Sequence, residues 1–142
     1  MLSRVIGYYE AWSARSSCHA FQPTDLPVQD LTHVNFAFAY IDPHSYKVVT
    51  MDTATDAKLF QQTADLKSAN PSLKVFVSVG GWTFSDNDTA TQPLYGEIAA
   101  DPQKRLTFAS NAVKFMQQYG MPLHHRWSLR LLIRSLARVR WS

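Results

Sequence analysis

A parallel α/β sheet is the fold class predicted by this 142-residue sequence. Residues 32–40 (THVNFAFAY) and 74–79 (KVFVSV) are near-continuous apolar runs rich in strand-forming residues, as in strands covered on both faces. Helical spacings of apolar residues occupy 53–68 and 101–120, so strands and helices alternate along the chain. Aromatic residues and glycines gather where the apolar runs end, which is where parallel sheets carry their sites.

Residues 5–9 form the first apolar run, closed by Glu10, Ala11 and Trp12 and a polar loop over 13–19. Pro23 and Pro27 make 22–30 irregular or a short helical turn. The run 32–40 is the second strand; the turn Asp42-Pro43-His44-Ser45 ends it, and 46–50 can return as a hairpin strand. Ala57, Phe60, Ala64 and Leu66 give 53–68 a helical face, stopped by Asn70-Pro71. The third parallel strand, 73–79, follows. Asp101 then caps a helix with Pro102 at its first position, and Leu106, Ala109, Ala112, Val113 and Met116 recur along it until Tyr119-Gly120.

The segment KVFVSVGGW is the most informative part of the chain. A buried strand stops at Gly80-Gly81, where the backbone can turn and approach a ligand closely, and Trp82 offers a flat apolar face of the kind on which sugars stack.

Composition excludes several classes. With 46% hydrophobic and 18% charged residues the chain has a globular core, and its apolar stretches fall far short of the ~20 residues of a membrane-spanning helix. The N-terminal residues run straight into Val5-Ile6 without the apolar segment and cleavage site of a secretory signal. Cys18 is the single cysteine, a lone thiol, and no metal-ligand spacing exists. Asp86 and Asp88 read as turn chemistry, and the adjacent His124-His125 pair lacks further ligands. No cofactor or metal is expected.

Charge divides the chain. Residues 1–120 carry nine Lys and Arg against eleven Asp and Glu, a net −2; residues 121–142 carry five Arg and no acid, a net +5. Two readings of that segment stand. Arg126, Arg130, Arg134 and Arg138 recur every four residues among leucines, a pattern compatible with a basic amphipathic helix for membrane or nucleic acid. The abrupt change of composition after Gly120 fits instead a change of reading frame or a retained intron.

Taken in order, VIGYYEAW, DLTHVNFAFAYID and KVFVSVGGW resemble glycoside hydrolase family 18, most closely the fungal chitinases of the killer-toxin-like group. The resemblance covers residues 1–120 and implies about three βα units, the incomplete N-terminal part of a (β/α)8 TIM barrel, with 121–142 a basic tail outside the family. It implies that Ser78, Gly80 and Gly81 form the family's Ser-x-Gly-Gly motif, that Trp82 floors the cleft near the scissile bond, and that Tyr8 and Phe38 line the sugar pocket there; read without it, Tyr8 and Phe38 are core aromatics. Ser78 points inward beneath the site or fills space in the barrel.

The resemblance also implies an activity: extracellular, endo-type hydrolysis of β-1,4-linked N-acetylglucosamine in chitin, a substrate-assisted reaction in which the substrate's acetamido oxygen attacks the anomeric carbon. The family's acid is the Glu of an Asp-x-x-Asp-x-Asp-x-Glu strand, and this sequence has no Asp or Glu after Asp101. Glu10 is the only acid placed at a strand end on the site face, and it reads as a loop carboxylate. No catalytic residue is therefore assigned. The expected partner is chitin or chitooligosaccharide, with no nucleic acid, membrane or specific protein partner; the alternative is a chitin-binding, lectin-like module without hydrolysis.

Overall fold

The structure, a computed structural model, describes residues 4–120. In chain order its main elements are β1 (Ile6–Glu10), β2 (His33–Ile41), β3 (Val48–Thr50), α1 (Lys58–Asp65), β4 (Lys74–Val79), α2 (Leu94–Ala100) and α3 (Pro102–Gln118). The three apolar runs are adjacent parallel strands, as the sequence predicts. β2 is central: Gly7 of β1 stands opposite Val34, and Val34 stands opposite Val75 of β4. β3 is the hairpin return, antiparallel to the last three residues of β2.

Alternation along the strands puts Tyr9, Val34, Phe36 and Val75 on one face, all buried, and α1 and α3 cover that face. Phe60 of α1 is the keystone there. Its ring lies 4.5 Å from that of Phe36 and 4.8 Å from that of Phe115, and Tyr119 closes the group at 5.3 Å. A second apolar group, Ile41, Phe84, Leu94 and Ile98, packs at the far end of the sheet with Phe108 against it. The opposite face is different. Ile6, Tyr8 and Phe76 are exposed on it, so among the described residues the sheet is covered on one side only, and the both-sided burial read from its apolar strands is not met.

Three local differences from the sequence pattern have identifiable causes. The first helix begins at Lys58 rather than near Thr53, because the Asp52 carboxylate accepts the amides of Ala54 and Thr55 at 3.1 and 2.8 Å and holds that stretch in a turn. Asp101 does cap α3, accepting the Gln103 amide at 2.7 Å, but the buried stripe is rotated from the one expected: Phe108 and Phe115 point inward while Leu106 is 41% exposed. Large aromatic rings fill the space beneath the sheet better than Ala109 and Ala112 can, and they set the helix's rotation. The third difference is α2, which the sequence does not announce; it packs against α3, and Lys104 bonds Glu97 at 2.7 Å across the pair.

The loop after β1 is tied to the loop after β3 by a two-bond ion pair, Arg15 to Asp52 at 2.9 and 2.7 Å. The Arg15 guanidinium, with help from the Thr55 hydroxyl and amide, holds the Asp52 carboxyl down to about 2. Residues 121–142, and with them both readings of that basic segment, lie outside the described residues.

Two outcomes are expected in denaturation of the full chain. Phe60→Ala should lower stability by about 3–5 kcal/mol, whereas Leu106→Ala should stay within about 0.5 kcal/mol; equal effects would return α3 to the rotation read from the sequence. Because the Asp52 carboxyl titrates lower when folded, its contribution is fully present above its ordinary pKa of 3.8 and is lost as pH falls toward about 2. Asp52→Asn should remove this shallow acid-side slope, which is small because both partners are exposed.

Candidate functional site

The C-terminal ends of the parallel strands deliver three aromatic groups to one place. β1 runs into a short 3-10 turn, Ala11–Arg15, carrying Trp12. In β2 the pairing with β4 shifts between Ala37 and Ala39, so Phe38 falls out of the ladder; the Ala37–Phe38 peptide is cis. The Trp12 and Phe38 rings stack, 6.2 Å apart and 22° from parallel. β4 ends at Val79, and the chain turns through Gly80 and Gly81 at φ +103° and +102°, values that favour glycine. Trp82 follows, 87% exposed.

Close approach explains both glycines, and it is to the protein's own side chains. A Cβ on Gly81 would lie 3.0–3.2 Å from the Phe38 ring, and a Cβ on Gly80 would fall on the Tyr95 hydroxyl. Tyr95, from α2, donates that hydroxyl to the Val79 carbonyl at 2.8 Å, and burial pushes the phenol above its ordinary pKa. Its ring rests on the fully buried Phe84 at 5.1 Å. The glycine turn thus lies between Phe38 of β2 and Tyr95 of α2.

Below the turn, the uncovered sheet face is arranged in rows by strand register. Glu10, Ala37 and Ser78 make the row nearest the site; Tyr8, Asn35 and Phe76 make the next; Ile6, His33 and Lys74 make the last. Tyr8 is 60% exposed, so it is Tyr9, and not Tyr8, that enters the core. Ser78 is half-buried on the site side and Glu10 is exposed at the strand end. His33, at the opposite end of the face, has its pKa lowered by partial burial and by the positive charges of Lys74 and Arg4.

Other sequence candidates lie apart from this arrangement. Asp86 and Asp88 are exposed in the loop before α2, where Asp86 accepts the Asn87 amide at 3.0 Å and Asp88 takes a positive φ, both turn geometries. Cys18 is an exposed free thiol. Among the described residues no group of three or more His, Cys, Asp or Glu side chains is placed to hold a metal ion. His124 and His125 lie outside the described residues.

Comparison with known proteins decides the family. The profile of the glycosyl hydrolases family 18 matches residues 4–123. The chain belongs to glycosyl hydrolase family 18. Its segments are 34% identical over 119 residues to mouse Chitotriosidase-1, covering 83% of this chain and 24% of that protein. They are 35% identical over 133 residues to Chitinase B of Serratia marcescens, covering 82% and 26%. Catalytic domain 2 of the Ostrinia furnacalis Group II chitinase superposes with a TM-score of 0.71 at 27% identity, over 83% of this chain and 30% of that one, and a mutant of that domain has been solved with a bound chitooligosaccharide. This family 18 chain thus spans about a quarter of the length of the relatives it matches. The structural neighbours are chitinase barrels, and the described part of the chain is an unclosed α/β portion of that barrel.

Of the residues singled out in the sequence, the structure brings Phe38, Gly80, Gly81 and Trp82 together at the strand ends; Tyr95, which lies against the same turn, was not singled out. No periodicity marks it: it sits in a short helix that the pattern did not show, and its partners are a backbone carbonyl and a glycine fifteen positions earlier. Gly81→Ala should destabilise the fold by about 1–3 kcal/mol, through its positive φ and the contact with Phe38. Gly96→Ala, in α2 with nothing within 4 Å of the added carbon, should be neutral or stabilise by up to ~1 kcal/mol. Equal responses in thermal unfolding would mean that the turn is not held as described.

Proposed function

We propose that the chain is the N-terminal portion of the catalytic domain of an endo-acting chitinase, and that its strand-end aromatic group forms one wall of a cleft for β-1,4-linked N-acetylglucosamine. One observation carries this: in a family 18 chain, an 87% exposed Trp82 stands on a glycine turn at the end of a parallel strand. Exposing a tryptophan leaves a large apolar surface in water, and a β-linked pyranose, with its substituents equatorial, presents a flat C–H face that matches it. We assign Trp82 as the stacking platform, Gly81 as the substrate-site turn that seats it against Phe38, Tyr8 and Phe38 as lining residues, and Ser78 and Gly80 as the supporting motif.

The Asp-x-x-Asp-x-Asp-x-Glu strand that would bring the family's proton donor to this wall does not occur in 1–142. A glycosidic oxygen must be protonated to leave, and the acetamido group of the substrate supplies a nucleophile rather than an acid. Several of the described carboxylates have structural engagements: Asp25 with the Gln22 amide, Asp42 with Ser45, Asp52 with Arg15, Glu97 with Lys104, Asp101 at a helix cap. Glu10 stands at the end of β1, in the row nearest the site. We therefore propose that residues 1–120 bind chitooligosaccharide poorly and do not turn it over, and that 121–142 form a basic segment outside the family. Placement among the fungal killer-toxin-like chitinases rests on VIGYYEAW and KVFVSVGGW, and an extracellular location rests on the polymeric substrate.

A second reading, a chitin-binding lectin-like module, is favoured by the same pairing of an intact aromatic platform with no positioned acid. The experiment separates the two. Purified 1–142 is assayed on a fluorogenic chitotriose derivative, and its affinity for chitotetraose is measured beside a chain in which an in-frame Asp-x-x-Asp-x-Asp-x-Glu strand and the rest of a barrel replace 121–142. Hydrolysis is expected only from the completed barrel, since the acid alone supplies ~10²–10⁴-fold. Trp82→Ala should weaken its sugar binding by roughly thirtyfold, the ~2 kcal/mol of a hot-spot aromatic. Measurable affinity of 1–142 without turnover supports the lectin-like reading. Turnover by 1–142 that is lost in Glu10→Gln would show Glu10 to be an acid.

A further inference from the structure

The contacts around the glycine turn point to a further role. We propose that Tyr95 is a positioning residue for this cleft: its hydroxyl anchors the end of β4 and, through the Gly80–Gly81 turn, fixes the orientation of Trp82. The proposal rests on the assignment of Trp82 as a sugar platform.

β4 ends with two hydrogen bonds that point in opposite directions. The Gly80 amide donates to the Ala39 carbonyl at 2.8 Å, which continues the ladder with β2. The Val79 carbonyl accepts instead from the Tyr95 hydroxyl at 2.8 Å, from a helix that packs on α3 and shares a buried apolar group with Ile41 of β2. Tyr95 in turn does not move freely. Its ring lies against Phe84, whose other neighbour is Tyr40 at 5.0 Å, and the preceding residue, Leu94, is buried in the same group. The hydroxyl also occupies the volume that a side chain at position 80 would need, while the Phe38 ring occupies that at position 81. Two glycines that would otherwise be the most mobile residues of the loop are therefore held between two aromatic side chains from different elements.

The consequence is preorganisation. A platform on a free glycine turn loses conformational entropy when a sugar docks, and that loss subtracts from affinity; a turn already held loses little. Tyr95 touches no reacting atom in this scheme. It acts through the turn, and its donor hydroxyl rather than its ring bulk is what the Val79 carbonyl requires.

Two readouts on the full 1–142 chain test this: amide relaxation by NMR without ligand, and chitotetraose affinity by calorimetry. In the unmodified chain the Gly81 and Trp82 amides should be as ordered as those of β4, with order parameters near ~0.85, and in Tyr95→Phe they should fall toward ~0.6 while β4 and the thermal midpoint change little. Affinity should drop about fivefold, the equivalent of one net hydrogen bond. Mobile Gly81 and Trp82 amides in the unmodified chain would overturn the proposal regardless of any variant. So would a folded Tyr95→Phe chain in which those amides stay ordered. If the amides loosen as expected but Trp82→Ala binds chitotetraose as tightly as the unmodified chain, the positioning of the turn by Tyr95 stands and the sugar-platform assignment fails.

Discussion

Strand β2 has its backbone engaged on both edges, parallel to β1 on one side and to β4 on the other, and its last residues also take β3. This double pairing is the constraint on which the other elements depend. It fixes which residues of all three parallel strands share a face, because a one-residue slip would exchange Phe36 with Asn35 and Val75 with Phe76, and bring polar or exposed positions beneath the helices. The completely buried Val34, Phe36, Ala39 and Ile41 are the reward for the observed register. Within this pairing the ladder with β4 shifts between Ala37 and Ala39, and Phe38 leaves it there.

The two faces of the sheet have different fates. Helices α1 and α3 seal one of them around Phe60, with aromatic rings at tilted and edge-on angles that suit their quadrupoles. On the other, Ile6, Tyr8 and Phe76 remain exposed among the described residues, although parallel strands of this composition are ordinarily covered on both sides. The site sits at the rim of this open face, above the row of Glu10, Ala37 and Ser78.

Loop architecture and site architecture are linked through side chains that satisfy backbone groups. Asp52 holds the approach to α1 and receives Arg15 from the loop after β1; Asp42 closes the β2–β3 turn, and Asn111 of α3 donates to the Ser45 carbonyl within that turn at 2.9 Å. These bonds engage carboxylates that would otherwise be candidates for chemistry. What stands at the strand ends is largely apolar and flat, the rings of Trp12, Phe38 and Trp82, with the Glu10 carboxylate at the end of β1.

The sequence by itself determined the strands, their parallel order, the hairpin, the Asp101 cap and the Gly80-Gly81-Trp82 turn. Each of these is written in a short local pattern: a β-branched run, an Asp-Pro pair, a glycine doublet. Tertiary structure decided what no local pattern contains. The rotation of α3 is set by where Phe108 and Phe115 find space under the sheet, not by the spacing of its alanines. Tyr8 and Tyr9 are neighbours of the same type, and only pairing with β2 determines that Tyr9 is buried and Tyr8 exposed. The reason for each glycine also lies elsewhere in the chain, in Phe38 for Gly81 and in Tyr95 for Gly80. Local sequence fixes backbone preference over a few residues, whereas contact between distant side chains exists only once the sheet and helices have brought them together.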